Sequence, residues 1–233
     1  MTVLVTGGTG TLGCDLLPLL PGAITLSRTP GTGRRVADLD TGSGLPEALA
    51  GIDTVVHLAD GRNQERAARN LVAAASGVRH IVFISIAGID RIPFGYYRAK
   101  LAAERVIEGS GIPFTTLRTT QFHQFAAMIF DAQRFSPVLF TPRLRIQPID
   151  TRVVAAALAD AAGSAPAGRL ADLGGPEILT GADIITQLAA ARGWRRPAVP
   201  FSLVGKTWAA FAEGRNLVPG NRSGGRTFAE FLA

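Results

Sequence analysis

The 233-residue sequence is poor in three chemically useful side chains. It contains one cysteine, Cys14, two tyrosines, Tyr96 and Tyr97, and two lysines, Lys100 and Lys206. A single cysteine excludes a disulfide within the chain, which fits a reducing compartment such as the cytoplasm. We expect Cys14 to be a small core residue rather than an activated thiol.

Long apolar runs are also absent. Proline, glycine or a charged residue interrupts each one before the roughly 20 residues that a membrane-spanning helix needs. We therefore expect no membrane segment, and the first residues lack the basic region of a signal peptide. The net charge is +6, but the basic residues are scattered, so nucleic-acid binding is not expected. The histidines and Cys14 lack metal-ligand spacing, and no metal is expected.

Glycine is abundant and is concentrated near the start of the chain. A short apolar run at residues 3–5 is followed by Gly7, Gly10 and Gly13 and by a helical run at 12–20. The first two glycines allow a sharp turn close to a pyrophosphate, and the third allows close packing of helix on strand. The alternative is a turn that binds nothing. The pattern favours a dinucleotide site contacted by Gly7, Thr9, Gly10, Thr11, Leu12 and Gly13.

The second predicted strand, at 23–26, is followed by an arginine rather than by an aspartate or a glutamate. No Asp or Glu occurs between Asp15 and Asp38, where a carboxylate would accept the ribose 2′-hydroxyl of NAD. Arg28 can hold a 2′-phosphate with two parallel hydrogen bonds. We expect NADP(H) to be preferred over NAD(H), with contacts from Ser27 and Arg28. The alternative for Arg28 is a solvated loop residue.

Apolar segments alternate with helical ones through the first half of the chain. Strands are predicted at 3–5, 23–26, 35–38, 54–58, 80–84 and 114–117. The alternation predicts an α/β fold, a Rossmann-type doubly wound parallel sheet. Ligands bind beyond the carboxyl ends of such strands, which places Asp38, Leu39, Leu58 and Ala59 near the cofactor. His57, inside an apolar run, is expected to be a core residue.

The second half is less regular. Residues 122–130 form an amphipathic aromatic segment, helices are predicted at 151–162, 181–192 and 203–215, a strand at 169–173, and a short apolar segment at 228–232. We expect one domain over 1–233, with a cofactor core at about 1–120 and a small substrate-side lobe at about 121–233. The oligomeric state is not predicted.

Tyr96 and Lys100 are four residues apart and share one face of a predicted helix. A nearby ammonium lowers the pKa of a phenol, which would let Tyr96 protonate a carbonyl oxygen. Lys100 could also reach ribose hydroxyls, and Ser85 at a strand end could bind the same carbonyl. The alternative is that both tyrosines pack on the sheet and Lys100 is solvated.

Tyr97 and His123 compete with Tyr96 for the role of proton donor. His123 has a pKa suited to that role, although a histidine between aromatics is more often a packing residue. Gln121 and Gln124 are further polar candidates. The apolar side chains nearby suggest a hydrophobic substrate; they are Phe122, Phe125, Met128 and Phe130.

These motifs together resemble the atypical short-chain dehydrogenase/reductase superfamily, in its NmrA-like and isoflavone-reductase-like branch. The resemblance is carried by residues 6–13 (TGGTGTLG), 27–28, 57–59 (HLA), 83–90, 95–104 (GYYRAKLAAE), 117–125 and 174–177. It implies a Rossmann sheet that binds NADP(H) at Gly7, Gly10, Gly13 and Arg28. It also places residues 119–123, including Thr119, Thr120 and His123, beside the nicotinamide.

The function expected from this resemblance is NADPH-dependent hydride transfer to a small apolar carbonyl, quinone or enone. Lys100, Tyr96, Ser85 and His123 are its candidate catalytic residues. The alternative is a non-catalytic NADP(H)-sensing regulator. Ser85 and Tyr96 are only eleven residues apart, a shorter segment than typical enzymes of the superfamily have, and this favours the sensor.

Overall fold

The computed structural model describes residues 1–61 and 63–233. They form two compact units that are interleaved in sequence. Unit 1 consists of Met1–Ser85, Gly95–Arg118 and Val154–Ala171, and unit 2 consists of Ile86–Phe94, Thr119–Val153 and Asp172–Ala233. The chain therefore passes between the units more than once, rather than once near residue 120.

Strands and helices alternate from the first residues onward. The strands are β1 (Val3–Thr6), β2 (Ile24–Ser27), β3 (Arg34–Val36), β4 (Thr54–His57), β5 (His80–Ile86), β6 (Phe114–Thr119), β7 (Leu139–Pro142), β8 (Arg145–Ile146), β9 (Gly168–Arg169), β10 (Leu179–Thr180) and β11 (Ala198–Phe201). The helices are α1 (Thr11–Leu16), α2 (Leu45–Leu49), α3 (Gln64–Ala74), α4 (Gly95–Glu108), α5 (His123–Asp131), α6 (Thr151–Gly163), α7 (Gly181–Arg192), α8 (Lys206–Ala212) and α9 (Phe228–Leu232).

Unit 1 is built on a parallel sheet. Within the described residues its seven strands follow the order β3-β2-β1-β4-β5-β6-β9. All residues of β1 and β4 are buried, as expected for central strands of a sheet covered on both faces. The predicted Rossmann-type fold is confirmed. The predicted six strands are all present, and the strand predicted at 169–173 corresponds in part to β9, which is shorter and begins one residue earlier.

Helices α3 and α4 pack on this sheet, but α4 carries an unusual buried face. Its buried residues are Tyr97, Lys100, Ala103, Glu104 and Ile107, which recur at the helical spacing of one face. Two of the five are charged. Because a buried charge is costly without a partner, this face is where a functional site is expected.

Helix α1 departs from the sequence prediction in two ways. The predicted helical run at 12–20 ends at Leu16 and continues as a short 3-10 turn containing Pro18, because proline cannot donate the next helical hydrogen bond. Leu12, Gly13 and Leu16 take the buried face. Cys14 therefore points outward and is exposed, so the expectation of a core cysteine is wrong.

Unit 2 has its own core, formed by α5, α7 and α9 around Ala126, Phe130, Ile184, Leu188 and Phe228. Two small sheets accompany them, β8 with β10 and β7 with β11. Helices α7 and α9 begin with capping boxes, in which the side chain of an N-terminal threonine and that of an acid three residues later bond each other's backbone. The helices predicted at 181–192 and 228–232 match α7 and α9, whereas the one at 203–215 shortens to α8.

No helix among the described residues is long and apolar enough to cross a membrane.

Candidate active site

The glycine turn after β1 is packed on its inner side and open on its outer side. Gly7 has a φ of +72°, and a Cβ there would lie 2.7 Å from the amide nitrogen of Ala59. A Cβ on Gly13 would lie 2.5 Å from the carbonyl oxygen of Gly7. Gly10 is exposed, with one atom within 4 Å of its Cβ position. The turn therefore has the close packing and open backbone that a pyrophosphate cradle needs.

Arg28 lies directly after β2 and is exposed. It makes no hydrogen bond or ion pair with a described residue. Arg35, on the neighbouring strand, instead donates to the carbonyl oxygens of Ala48 and Ala50 at 2.9 and 2.6 Å, which ties it to the end of α2. The Arg28 guanidinium is therefore available to a ligand, whereas that of Arg35 is held against the end of α2.

The loop after β3 holds Asp38 and Leu39. The Asp38 carboxylate accepts from the backbone nitrogens of Asp40 at 2.7 Å and Thr41 at 3.2 Å. Asn70 donates to the carbonyl oxygen of Leu39 at 2.8 Å. These bonds fix the loop, and contact of Asp38 and Leu39 with a cofactor stays a prediction.

His57, at the end of β4, is a neutral core residue, as the sequence predicted. The Ala59 N–H donates to Thr6 Oγ1 at 3.1 Å, so the hydroxyl hydrogen of Thr6 is left for His57 Nδ1 at 2.7 Å. The ring also stacks on Phe83 with centroids 5.5 Å apart. Burial, aided by the charge of Lys100, lowers the pKa of His57 to about 3.

Lys100 is a buried ammonium group without a hydrogen bond or ion pair to a described residue. Its side chain is 4% exposed, and Nζ lies 4.8 Å from the centroid of the Phe83 ring. Burial lowers its pKa, while the carboxylates of Asp60 and Glu104 act in the opposite direction. A cation held in this way can bind a polar ligand with little competition from the protein.

Tyr96 donates its hydroxyl hydrogen to Asp60 Oδ2 at 2.5 Å. Burial raises the pKa of the phenol well above 10, Asp60 adds to this, and the nearby Gln64 amide acts weakly in the opposite direction. A carboxylate rather than an ammonium therefore meets the phenol. The expected lowering of its pKa by Lys100 is wrong in direction. Tyr97 is buried.

Ser85 lies inside β5 and belongs to a buried network that the sequence did not reveal. Its hydroxyl donates to the Glu104 carboxylate, and Arg118 Nε lies 3.1 Å from both oxygens of that carboxylate. The hydroxyl hydrogen of Ser85 is thus directed away from any substrate carbonyl. A signal for Glu104 existed in the sequence, because it lies four residues after Lys100 on the same helix face.

Thr119, Thr120 and His123 belong to unit 2. Thr120 Oγ1 accepts from the Gly175 amide at 3.2 Å, and the Thr119 carbonyl accepts from the Ala87 amide at 2.8 Å. These bonds engage both residues within unit 2. Their predicted contact with a cofactor remains a prediction.

His123 is fully buried in unit 2. Its Nε2 donates to the Arg226 carbonyl oxygen at 2.9 Å, and its ring stacks on Phe231 with centroids 5.3 Å apart. Burial lowers its pKa. These are the surroundings of a packing residue, and a neutral, inaccessible imidazole is a poor proton donor.

The predicted pocket side chains of α5 fall on two faces. Phe130 is buried in the core of unit 2, whereas Phe125 and Met128 are exposed. Gln121 accepts from Asn216 at 3.2 Å, and Gln124 donates to Thr151 at 3.1 Å. The structure therefore separates residues that the sequence grouped together.

A cavity of about 560 Å³ lies in unit 1 where α3 and α4 begin. Its lining is Asp60, Gly61, Gln64, Gly95, Tyr96 and Ala99. Gln64 is 5% exposed, and its side-chain amide is buried beside the Tyr96 phenol. Sequence reasoning missed Gln64, because a polar residue at a helix start is ordinarily solvated. No group of three or more potential metal ligands occurs in residues 1–61 and 63–233.

A parallel sheet in this strand order, with a glycine turn after its first strand, defines a Rossmann-type NAD(P)-binding domain. A family model described as NAD(P)H-binding matches residues 23–165, and the chain belongs to this family. An NAD(P)H azoreductase of Xenophilus azovorans is 29% identical over 213 residues, covering 82% of this chain and 74% of the relative.

Two further similarities agree with this assignment. Quinone oxidoreductase 2 of Escherichia coli (strain K12) is 27% identical over 135 residues, covering 50% of this chain and 47% of that protein. The crystal structure of an NADPH-dependent quinone oxidoreductase from Escherichia coli complexed with NADPH superposes with a TM-score of 0.83 at 19% identity. The match covers 99% of this chain and 98% of that structure's chain, and it shows a similarity of fold.

The resemblance to atypical short-chain dehydrogenases/reductases is thus confirmed. The chain is an oxidoreductase that binds a nicotinamide cofactor.

Proposed function

We propose that this chain is an NADPH-dependent reductase of a small apolar acceptor, foremost a quinone or an azo compound, with carbonyls and enones as related candidates. The observation that carries the proposal is Lys100, a buried ammonium on α4 without a partner among the described residues. A buried cation of this kind is stabilised when a ligand supplies hydrogen-bond acceptors. The names of the two curated relatives support the acceptor class.

The residues of unit 1 fit the nicotinamide cofactor. The open backbone at Gly10 would hold the pyrophosphate, Arg28 the 2′-phosphate, and Lys100 the ribose hydroxyls beside the reactive ring. Ser85 presents lone pairs, since its hydrogen goes to Glu104. When bound, NADPH supplies the hydride.

Reduction of a quinone or azo group also needs a proton, and the protein offers few acids. The Tyr96 phenol has a raised pKa and shares its hydrogen with Asp60. Tyr96 is 40% exposed, so water reaches this edge of unit 1. Water is therefore the proposed proton source, and Tyr96 and Asp60 hold the acceptor side of the site in place.

The test is NADPH oxidation by the purified protein with a panel of quinones, azo compounds, enones and aromatic ketones. We expect turnover with a quinone or azo compound, and Tyr96→Phe should keep it within about threefold, because a general acid contributes about 100-fold or more. A loss of that size would identify Tyr96 as the proton donor. Failure of every acceptor, with NADPH binding intact, would overturn the reductase proposal.

A second candidate is a non-catalytic NADP(H) sensor. It is favoured by the hydroxyl hydrogens of Ser85 and Tyr96, both of which are committed to carboxylates of the protein. The sensor predicts a partner whose affinity for this chain differs between the NADPH and NADP⁺ forms. Equal affinities for the two forms would remove it.

A further inference from the structure

We infer that Glu104 is a positioning residue of the nicotinamide site, and that its buried carboxylate offsets the charge of the Lys100 ammonium and so maintains that group as a ligand contact. The inference rests on the proposed function and adds to it a residue that acts through Lys100. It is carried by the contacts that hold the carboxylate, by its burial, and by its place one turn after Lys100 on α4.

The Glu104 carboxylate is held from two neighbouring strands of the sheet of unit 1. Ser85, next to the end of β5, donates its hydroxyl hydrogen to the carboxylate. Arg118, next to the end of β6, places Nε 3.1 Å from both carboxylate oxygens. The carboxyl ends of parallel strands are where ligands of such sheets bind. The carboxylate is therefore fixed close to the ligand end of the sheet.

Stability alone does not account for this ion pair. The side chains of Glu104 and Arg118 are 2% and 4% exposed, so both charges have been removed from water. Replacing such a pair by apolar side chains of similar volume is often neutral or stabilising. A role for the carboxylate in the neighbouring site explains why a charge lies here.

Lys100 is the group on which that charge acts. It lies four residues before Glu104 on the buried face of α4, a spacing at which helical side chains are neighbours. Phe83, whose ring centroid is 4.8 Å from Lys100 Nζ, lies two residues before Ser85 on β5. The two β5 side chains thus share the face of the sheet that meets α4. Ammonium, ring and carboxylate belong to one buried cluster.

This arrangement predicts how NADPH affinity depends on pH. In its proposed role Lys100 donates hydrogen bonds as an ammonium, so affinity falls as pH rises through its pKa. Burial lowers that pKa, and in the described part of the chain Asp60 and Glu104 act in the opposite direction. His57 is neutral above its pKa of about 3, and the raised pKa of Tyr96 keeps its phenol neutral. Loss of the Glu104 carboxylate should therefore move the fall to lower pH.

The test uses a double variant, because Glu104→Gln alone would leave a buried guanidinium without its carboxylate. Glu104→Gln with Arg118→Gln removes both charges and keeps hydrogen-bonding side chains. The matched control is Asp53→Asn with Arg79→Gln, which removes an ion pair of unit 1 at the amino ends of β4 and β5. Glu104→Asp retains the charge on a shorter side chain and separates charge from packing.

The dissociation constant of NADPH is measured for each protein by fluorescence titration between about pH 6 and about pH 10, a range that brackets a lowered lysine pKa. The midpoint is the pH at which half of the loss of affinity has occurred. We expect the double variant to have a midpoint about one pH unit below that of the wild-type protein. Glu104→Asp and the control should keep the wild-type midpoint, and kcat/KM for a reduced acceptor should follow the same order.

Each other outcome counts against the inference or against the proposed function. A folded double variant with the wild-type midpoint would show that the ion pair is only structural and would overturn the inference. If the glutamine pair does not fold, Glu104→Met with Arg118→Leu, an apolar replacement, carries the same expectation. Wild-type affinity that does not fall at alkaline pH would overturn the roles of both Glu104 and Lys100. A shifted midpoint without turnover of any acceptor would overturn the reductase proposal and leave Glu104 as a positioning residue for the cofactor.

Discussion

Lys100 shows at the scale of one residue how function and stability oppose each other. Its ammonium is buried against an aromatic ring, with a pKa lowered by burial. Between that lowered pKa and the ordinary value of 10.5, the unfolded chain binds more protons than the folded one, so this residue makes the fold more stable as pH rises. Below that window the buried charge destabilises the fold.

Lys100→Met should therefore raise the free energy of unfolding at pH 7 by about 1 kcal/mol, the usual scale of a single substitution. The gain should shrink as pH rises toward 10.5, while affinity for NADPH and turnover fall together. Urea denaturation at several pH values, with cofactor titration, measures both effects. A variant that is less stable at neutral pH, or that retains full turnover, would contradict this role.

Arg28 is the residue on which cofactor choice depends. Arg28→Ala should weaken NADPH binding by about tenfold, or about 1.4 kcal/mol, because it removes a charge-assisted pair with the 2′-phosphate. NADH has no such phosphate, and its affinity should stay nearly unchanged. Fluorescence titration with both cofactors measures the two constants.

The control for this substitution is Arg66→Ala, which removes an exposed arginine of α3 and the same net charge. Equal losses for NADPH and NADH in Arg28→Ala, or an equal loss of NADPH affinity in the control, would count against Arg28 as the phosphate contact.

Among the secondary-structure elements, α9 shows how a short helix can complete a core. Phe228 is fully buried and its ring lies 5.9 Å from that of His123, while Thr227 caps the helix through the Glu230 amide. A helix of five residues is unstable alone. Its stability comes from the rings that it places against α5 and α7.

Phe228→Ala should therefore destabilise the protein by about 3–5 kcal/mol, as large-to-small core substitutions do. Denaturant unfolding followed by tryptophan fluorescence checks this, since Trp194 packs on the same core. Phe125→Ala, on the exposed face of α5, is the matched control and should change stability little. Similar losses in both variants would show that α9 is not part of the cooperative core.

Elements with a strong local pattern were predictable, and those set by tertiary contacts were not. Helix α7 was predicted to the residue, because a capping threonine begins it and Gly193 follows its last residue. Strand β5 is longer than predicted, since it continues through Ser85, a buried polar residue that interrupts the apolar pattern. Helix α2 was missed because it has only five residues, although Leu45, Ala48 and Leu49 follow the spacing of one helix face.

The site was predictable only in part, for a related reason. The glycine turn and Lys100 follow from spacing along the chain. Tyr96 bonds Asp60, 36 residues away, and Ser85 bonds Glu104, 19 residues away. No local sequence pattern predicts such pairs. The roles of Tyr96, Ser85 and His123 accordingly changed most between sequence and structure.

At the scale of the whole molecule, the interleaving of the two units sets an order on protein synthesis. Unit 1 is complete once Ala171 has been made, but unit 2 also needs Asp172–Ala233. At roughly 5–20 residues per second, those last 62 residues take roughly 3–12 seconds to translate. Helix α7 is made early in that interval, but Phe130 and its neighbours on the nascent chain lack α9 until its end. Chaperones that recognise exposed apolar segments would bind this protein at that stage, after the sheet of unit 1 has formed and before the core of unit 2 is complete.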